Sequence, residues 1–314
     1  MPVLEVNNLN LGFNFEDGFY QALFDVSFSL EKGKTNALVG ESGCGKTISA
    51  MSILQLLPKN AQITGGEILY NGENLLAKKD IKKLRGSKIA LIPQDPMTSL
   101  NPLYTVGNQL LEVIKIHQNL EGKEAQKKAI EALDAVQIPC AKERMKSYPH
   151  EFSGGMKQRA IIAMALACNA EILIADEPTT ALDVTIQAQI MNLLSEIKNN
   201  HNTAILLITH DLALVSENAD KVYVMYAGRI VESANSDEFF RDPKHPYSKG
   251  LMRSLPSNSQ VELYTIEGQP PSIQQSISGC RFHPRCNECA EICTKNIPDL
   301  KGKEHLCACF MNKS

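Results

Sequence analysis

The 314-residue sequence predicts an α/β protein, a mainly parallel sheet wrapped by helices. Three observations carry that expectation. Short apolar runs suited to buried strands recur at residues 35–39, 172–175, 204–209 and 222–226. Between them lie segments whose apolar residues repeat at helical spacing. A glycine-rich stretch at residues 40–47 joins the first of those strands to a helix. No internal repeat appears, so the chain holds one such module.

The elements follow in order. Residues 3–13 and 23–30 alternate polar and apolar positions and read as strands, split by the turn residues Glu16-Asp17-Gly18. Residues 35–39 form a short apolar strand. Residues 47–57 read as a helix that stops at Pro58. Residues 67–70 and 88–92 read as further strands. The middle is helical: Val106, Leu110, Val113 and Ile114 share one face, and Ala125, Ala129, Leu133 and Val136 share another. Ser153 reads as the N-cap of a helix that runs to Cys168. Past the strand at 172–175, Ile186, Ile190, Leu193, Leu194 and Ile197 fall on one helical face. Composition shifts near residue 240, where Arg241-Asp242-Pro243-Lys244-His245-Pro246-Tyr247 is rich in turn formers, and we place a boundary there.

Bulk composition narrows the function. The chain is 43% hydrophobic and 21% charged, which suits a soluble protein with a sizeable core. A net charge of -3 gives no support to nucleic-acid binding. The basic run at residues 78–85 reads as the solvated face of a helix. The longest apolar run, residues 160–168, is too short to span a bilayer. The N-terminus has no basic stretch followed by an apolar one, so a cytosolic location is expected, with any membrane role exerted through a partner.

Three strings carry the chemistry. Gly40-Glu41-Ser42-Gly43-Cys44-Gly45-Lys46-Thr47 fits G-x-x-x-x-G-K-[ST] between a strand and a helix. Its glycines let backbone N–H groups turn toward phosphate oxygens, and the helix that follows presents its positive end to the same charge. Lys46 is placed for the β- and γ-phosphates of a nucleoside triphosphate, and the Thr47 hydroxyl for Mg²⁺. Asp176 ends an apolar strand and suits Mg²⁺, while the adjacent Glu177 suits orienting and deprotonating a water. Ser153-Gly154-Gly155 opens a helix, and a hydroxyl with two bare N–H groups there is an anion site. Since the chain already has a phosphate loop, this second anion site makes sense if it completes the site of another molecule. Cys44, at the helix end, is expected to have a lowered pKa, so that alkylation blocks activity and ATP protects.

On these strings the first part of the chain resembles the ATP-binding cassette (ABC) ATPases, whose Walker A, signature and Walker B motifs they match. The resemblance implies a cassette fold with a parallel-rich sheet core, an N-terminal antiparallel β subdomain and a helical subdomain at about residues 95–165. It implies that Gln94 is the Q-loop glutamine, touching Mg²⁺ or the attacking water, and that Ala181-Leu182-Asp183 is the D-loop at a dimer interface. It implies that His210 is the switch residue on the γ-phosphate, and that Phe13, with Phe15 and Tyr20 as rivals, stacks on adenine. Phe152 and Met156 depart from the commonest signature, but both flank the anion-binding residues and read as branch markers.

The branch is marked by residues 93–102, 180–189, 242–250 and 279–286, which resemble the ATP-binding subunits of dipeptide and oligopeptide permeases. Close relatives of that branch import nickel, glutathione or antimicrobial peptides, and these remain alternatives for the cargo. Six of the nine cysteines crowd the tail. Cys280, Cys286, Cys293 and Cys309 match the C-x5-C-x6-C-x15-C spacing that this branch uses for an iron–sulfur cluster, and four thiolates suit a [4Fe–4S] cluster. Cys289 and Cys307 are extra. Cys286-x-x-Cys289 with His305 or His283 is half of a possible zinc site, and unmetallated thiols are the third reading.

The resemblance implies a cassette domain at residues 1–240 and a permease-type extension at 241–314, with its cysteine cluster at 280–309. It implies an ATPase at the cytoplasmic face of the cell membrane, paired head to tail with a second and related cassette. Two transmembrane permease subunits and, indirectly, an extracytoplasmic peptide-binding protein complete the system, with no nucleic acid. A soluble, non-transport cassette protein is the rival of another class; the two cassettes, long coiled-coil arms or basic surfaces usual in such proteins are missing from the sequence.

Overall fold

The structure, a computed structural model, describes residues 1–78, 80–179, 182–255 and 265–312. In chain order its first elements are β1 (Leu4–Phe15), β2 (Gly18–Leu30), β3 (Thr35–Val39), α1 (Lys46–Leu54), β4 (Ala61–Tyr70), β5 (Glu73–Asn74) and β6 (Ile89–Ile92). Helices α2 (Pro96–Ser99), α3 (Val106–Gln118), α4 (Gly122–Ala135), α5 (Ala141–Arg144) and α6 (Gly154–Ala167) follow. Next come β7 (Ile172–Asp176), α7 (Val184–His201), β8 (Ala204–Thr209), α8 (Leu212–Asn218), β9 (Lys221–Tyr226) and β10 (Arg229–Asn235). The tail adds α9 (Ser236–Arg241), α10 (Pro246–Arg253), α11 (Glu291–Lys295) and β11 (Leu306–Cys307). The chain forms two compact units, Met1–Lys78 with Leu207–Ser314, and Lys79–Leu206.

In the first unit β1 is the centre of an antiparallel sheet, paired with β2 from Leu4↔Leu30 to Phe15↔Gly18 and with β4 from Leu4↔Tyr70 to Phe13↔Ala61. Leu4, Val6, Leu9 and Leu11 bury one edge of its pattern. The pairing carries these strands past the ends expected from sequence. The expected strand at 67–70 begins at Ala61, its first half disguised by Gly65-Gly66. The helix expected to reach residue 57 ends at Leu54, because Gln55 turns left-handed at φ 50°. Strand β3 runs parallel to β9, and all five of its residues are buried, as in a strand covered on both faces.

The same unit holds the cysteine-rich tail. Tyr226 of β9, Tyr247 of α10 and Phe282 of the tail pack as one aromatic group, with ring centroids 4.7 to 5.4 Å apart. Strand β11 pairs antiparallel with β10, opposite Glu232 and Ser233. Glu232 has no solvent exposure. Its carboxylate accepts from the backbone N–H of Lys244 at 2.7 Å and of His245 at 2.8 Å, and lies 2.6 Å from His305 Nε2.

In the second unit β6 runs parallel to β7, from Ile89↔Ile172 to Ile92↔Ala175. Helix α3 buries Val106, Leu110 and Ile114, and α4 buries Ala125, Ala129 and Leu133, as the spacing predicts. Helix α6 buries residues on several sides, among them Ala160, Ile161, Ile162 and Ala163. On α7 the buried set is Ile190, Met191, Leu194 and Ile197, while Ile186 and Leu193 are half-buried.

Glu232→Ala would leave the N–H groups of Lys244 and His245 and the His305 ring without this acceptor. It should lower unfolding stability by about 1–3 kcal/mol, the penalty for a buried donor left unpaired. Chemical denaturation would show this as a lower midpoint, with hydrogen-exchange protection lost around residues 280–309.

Candidate functional site

The glycine loop leaves β3 and enters α1. Glycine is required at two points. A Cβ on Gly40 would lie 2.2 Å from the carbonyl oxygen of Met225. Gly45 has φ +110°, and a Cβ there would press on Leu23 and Met225 at 2.8 and 2.9 Å. Lys46 opens the helix, is 5% exposed, and its ammonium donates to the carbonyls of Gly40 at 2.7 Å and Glu41 at 3.0 Å. The cation is thus stored at the loop on backbone oxygens. Ser42 and Gly43 form the exposed tip, and Thr47 is half-buried in the first turn of α1.

The expectation for Cys44 is overturned. The thiol is buried, and burial pushes its pKa up; the Lys46 ammonium, 3.9 Å away, pulls the other way without prevailing.

His210 stands exposed at the end of β8. The residues on either side of it are fixed: Asp211 donates its N–H to Thr209 Oγ1 at 3.0 Å, and its carboxylate caps α8 through Ala213 and Leu214. Phe13, Phe15 and Tyr20 make one aromatic cluster on the β1–β2 hairpin, Phe15 lying 6.2 Å from Phe13 and 5.8 Å from Tyr20. The Tyr20 hydroxyl is tied to Asp17 at 2.9 Å.

The second unit holds the acidic residues. Asp176 ends β7 and is 1% exposed. Glu177 adopts a left-handed φ of 46°, an unfavourable conformation for a glutamate. Gln94 Nε2 donates to Glu177 Oε2 at 3.0 Å, so the structure brings these two expected site residues together. Gln158, which the sequence reading passed over, is buried in α6 and donates to the Pro178 carbonyl at 2.8 Å. It braces the turn that carries Glu177. Flanked by Lys157 and Arg159, it gives no sequence signal of its own.

Ser153 caps α6 as expected, accepting from the Met156 N–H at 3.3 Å. Ser153 and Gly154 are exposed, and a Cβ on Gly154 would meet nothing within 4 Å. The helix tip is therefore open to an incoming anion. Asp183 caps α7 through the Ile186 N–H at 2.9 Å. Thr180 and Ala181, the latter the start of the expected D-loop, lie outside the described residues, as does Lys79 of the basic run.

In the tail, Cys280, Cys286, Cys293 and Cys309 line a single small cavity with Phe282 and His245. Burial raises the Cys280 thiol and pushes Cys286 up to about 11, and neighbouring thiols add to both shifts. Cys307 and Cys289 do not line it. Burial raises the Cys307 thiol's pKa and nearby Glu232 adds to the shift, while Cys289 is exposed. His305 is engaged by Glu232, and His283 Nδ1 lies 2.9 Å from the Cys280 carbonyl. Among the described residues no three His, Cys, Asp or Glu side chains are gathered to hold a single ion. The four cavity-lining thiols are the donor type that an iron–sulfur cluster takes.

The ABC transporter family profile matches residues 23–180. The profile of the oligopeptide/dipeptide transporter C-terminal region matches residues 231–293. The chain is 48% identical over 314 residues to the oligopeptide transport ATP-binding protein OppD of Salmonella typhimurium, covering 98% of this chain and 93% of that one. It is 46% identical to the dipeptide transport ATP-binding protein DppD of Bacillus subtilis, covering 98% and 94%. A solved dimeric bacterial ABC transporter cassette, MJ0796, matches with a TM-score of 0.67 at 25% identity, over 74% of this chain and 98% of that one.

At neutral pH, iodoacetamide should modify exposed Cys140 well before buried Cys44, whose reaction should await unfolding. Peptide mapping by mass spectrometry reads the order; early labelling of Cys44 would contradict its burial.

Proposed function

This chain belongs to the ABC transporter ATPase family, and on that premise we propose that it hydrolyses ATP to drive an importer of di- or oligopeptides. The observation that carries this reading is similarity across 98% of the chain to OppD and DppD proteins, with cassette and transporter-tail regions in one order. We read residues 1–240 as the cassette, its helical part at about 95–165, and residues 241–314 as the extension.

Lys46 exchanges its bonds to the Gly40 and Glu41 carbonyls for phosphate oxygens, drawing on loop N–H groups and the start of α1. Thr47, Asp176 and Gln94 would hold Mg²⁺, whose charge neutralises the phosphates. Glu177 takes a proton from the attacking water, and its bond to Gln94 orients it. His210 meets the γ-phosphate, and an aromatic of the Phe13 cluster stacks on adenine. Ser153-Gly154-Gly155 of a second, related cassette closes over the triphosphate, with Asp183 at the shared face. The exposure of that helix tip, and of Val184 at 81%, supports this closure.

The importer supplies the membrane-spanning parts. No helix among the described residues is long and apolar enough to cross a bilayer. Leu103 and Tyr104, 80% and 55% exposed in the stretch after Gln94, offer an apolar contact to a permease. The chain then works at the cytoplasmic face of the cell membrane with two permease subunits, fed by an extracytoplasmic peptide-binding protein. The thiols of Cys280, Cys286, Cys293 and Cys309 would hold a [4Fe–4S] cluster as a staple for a segment with little core of its own.

Three measurements test this reading. Glu177→Gln should lower ATP turnover by about 10² to 10⁴, a general-base magnitude, while ATP still binds. Near-normal hydrolysis would remove Glu177 from its role. Affinity purification from membranes should recover a polytopic permease, and recovery of ribosomes or DNA instead would redirect the function. Anaerobic protein should be brown with stoichiometric iron and sulfide; a colourless preparation holding zinc would reject the cluster.

A further inference from the structure

Glu41, the second residue of the phosphate loop, is held at all three of its polar groups. Arg285 donates to the carboxylate with both arms of its guanidinium, Nη1 to Oε2 at 2.7 Å and Nη2 to Oε1 at 3.0 Å. The Glu41 N–H donates to the Tyr247 hydroxyl at 2.9 Å. Its carbonyl accepts from Lys46 Nζ at 3.0 Å. The Cys44 N–H also donates to that carbonyl at 3.3 Å. Of the four partners two belong to the tail, Arg285 and Tyr247, and two to the loop, Lys46 and Cys44.

The arginine is built in rather than resting on the surface. Its side chain is 5% exposed, against 27% for Glu41. Its remaining donors are also used: Nε reaches the Glu267 carbonyl at 2.9 Å, Nη2 the Ile266 carbonyl at 3.3 Å and Nη1 the Tyr226 hydroxyl at 3.4 Å. All five N–H groups of the fork thus have acceptors, a set that a lysine's single ammonium cannot reproduce. Tyr247 is fully buried against Tyr226, so its hydroxyl is a fixed acceptor. Two carbonyls store the Lys46 ammonium, one of Glu41 itself and one of the adjacent Gly40. A shift of Glu41 therefore moves the place from which Lys46 departs for phosphate.

We propose that Arg285 is a positioning residue for ATP: by gripping Glu41 it sets the phosphate loop, so that the cysteine-rich tail governs nucleotide affinity. Arg285 acts through Glu41 and touches no substrate. The inference rests on the ATPase reading above.

The test uses the full-length chain and MgATP, with Kd from calorimetry and KM and kcat from the cassette assembled with its partners. Arg285→Ala, Arg285→Lys and Glu41→Gln should each weaken ATP binding about 10- to 100-fold, the range for a lost charge-assisted pair. KM should rise by a similar factor while kcat changes little. The double variant Arg285→Ala with Glu41→Gln should be no weaker than the worse single one, because both remove the same interaction. If Arg285→Ala does not fold, Glu41→Gln and Arg285→Lys still decide the matter. Wild-type affinity in the variants would overturn the inference, as would a smaller active fraction with unchanged Kd or full rescue by lysine. A wild-type chain that binds no ATP would overturn the ATPase reading and this inference together, whereas binding that all variants share overturns the inference alone.

Discussion

The tail is fastened by one carboxylate that water does not reach. Glu232 lies on β10 with no exposure, and burying such a charge is unfavourable by several kcal/mol unless donors surround it. The donors come from the adjacent Lys244 and His245, 12 and 13 positions beyond Glu232, and from His305, 73 positions beyond it. Burial of the charge and docking of the tail are therefore one event. The Tyr226–Tyr247–Phe282 packing and the pairing of β11 with β10 fill the space around it. Arg285 and Tyr247 of the same tail reach the phosphate loop at Glu41.

The two units hold their functional groups by the same physical device, polar side chains fixed before any substrate arrives. In one, Lys46 is held by loop carbonyls and Glu41 by the tail. In the other, Glu177 is kept in a left-handed backbone conformation, its carboxylate bonded to Gln94 and the next turn braced by Gln158. An unfavourable conformation of this kind persists only where the surroundings over-determine it.

The sequence was most legible where the determining contacts are local. The buried strand β3, the phosphate loop and the Ser153 cap are each specified within about ten residues, and each stands where it was expected. The four cysteines that the resemblance named line one cavity, while Cys307 lies opposite Glu232 in the pairing of β11. What could not be read was tertiary. The first half of β4 is a strand because β1 lies beside it, despite Gly65-Gly66. The Cys44 thiol responds to its burial more than to the helix end that the sequence displays. Arg285 lay inside a string noted for its cysteines, and its partner is 244 positions away.

That separation has a consequence for how the protein is made. Chains leave the ribosome N-terminus first and their parts fold as they emerge. Glu41 emerges 244 residues ahead of the guanidinium that grips it. Until Arg285 follows, the loop waits without its clasp. A message broken before codon 285 would yield a polypeptide that carries every cassette string yet leaves this grip permanently unmade.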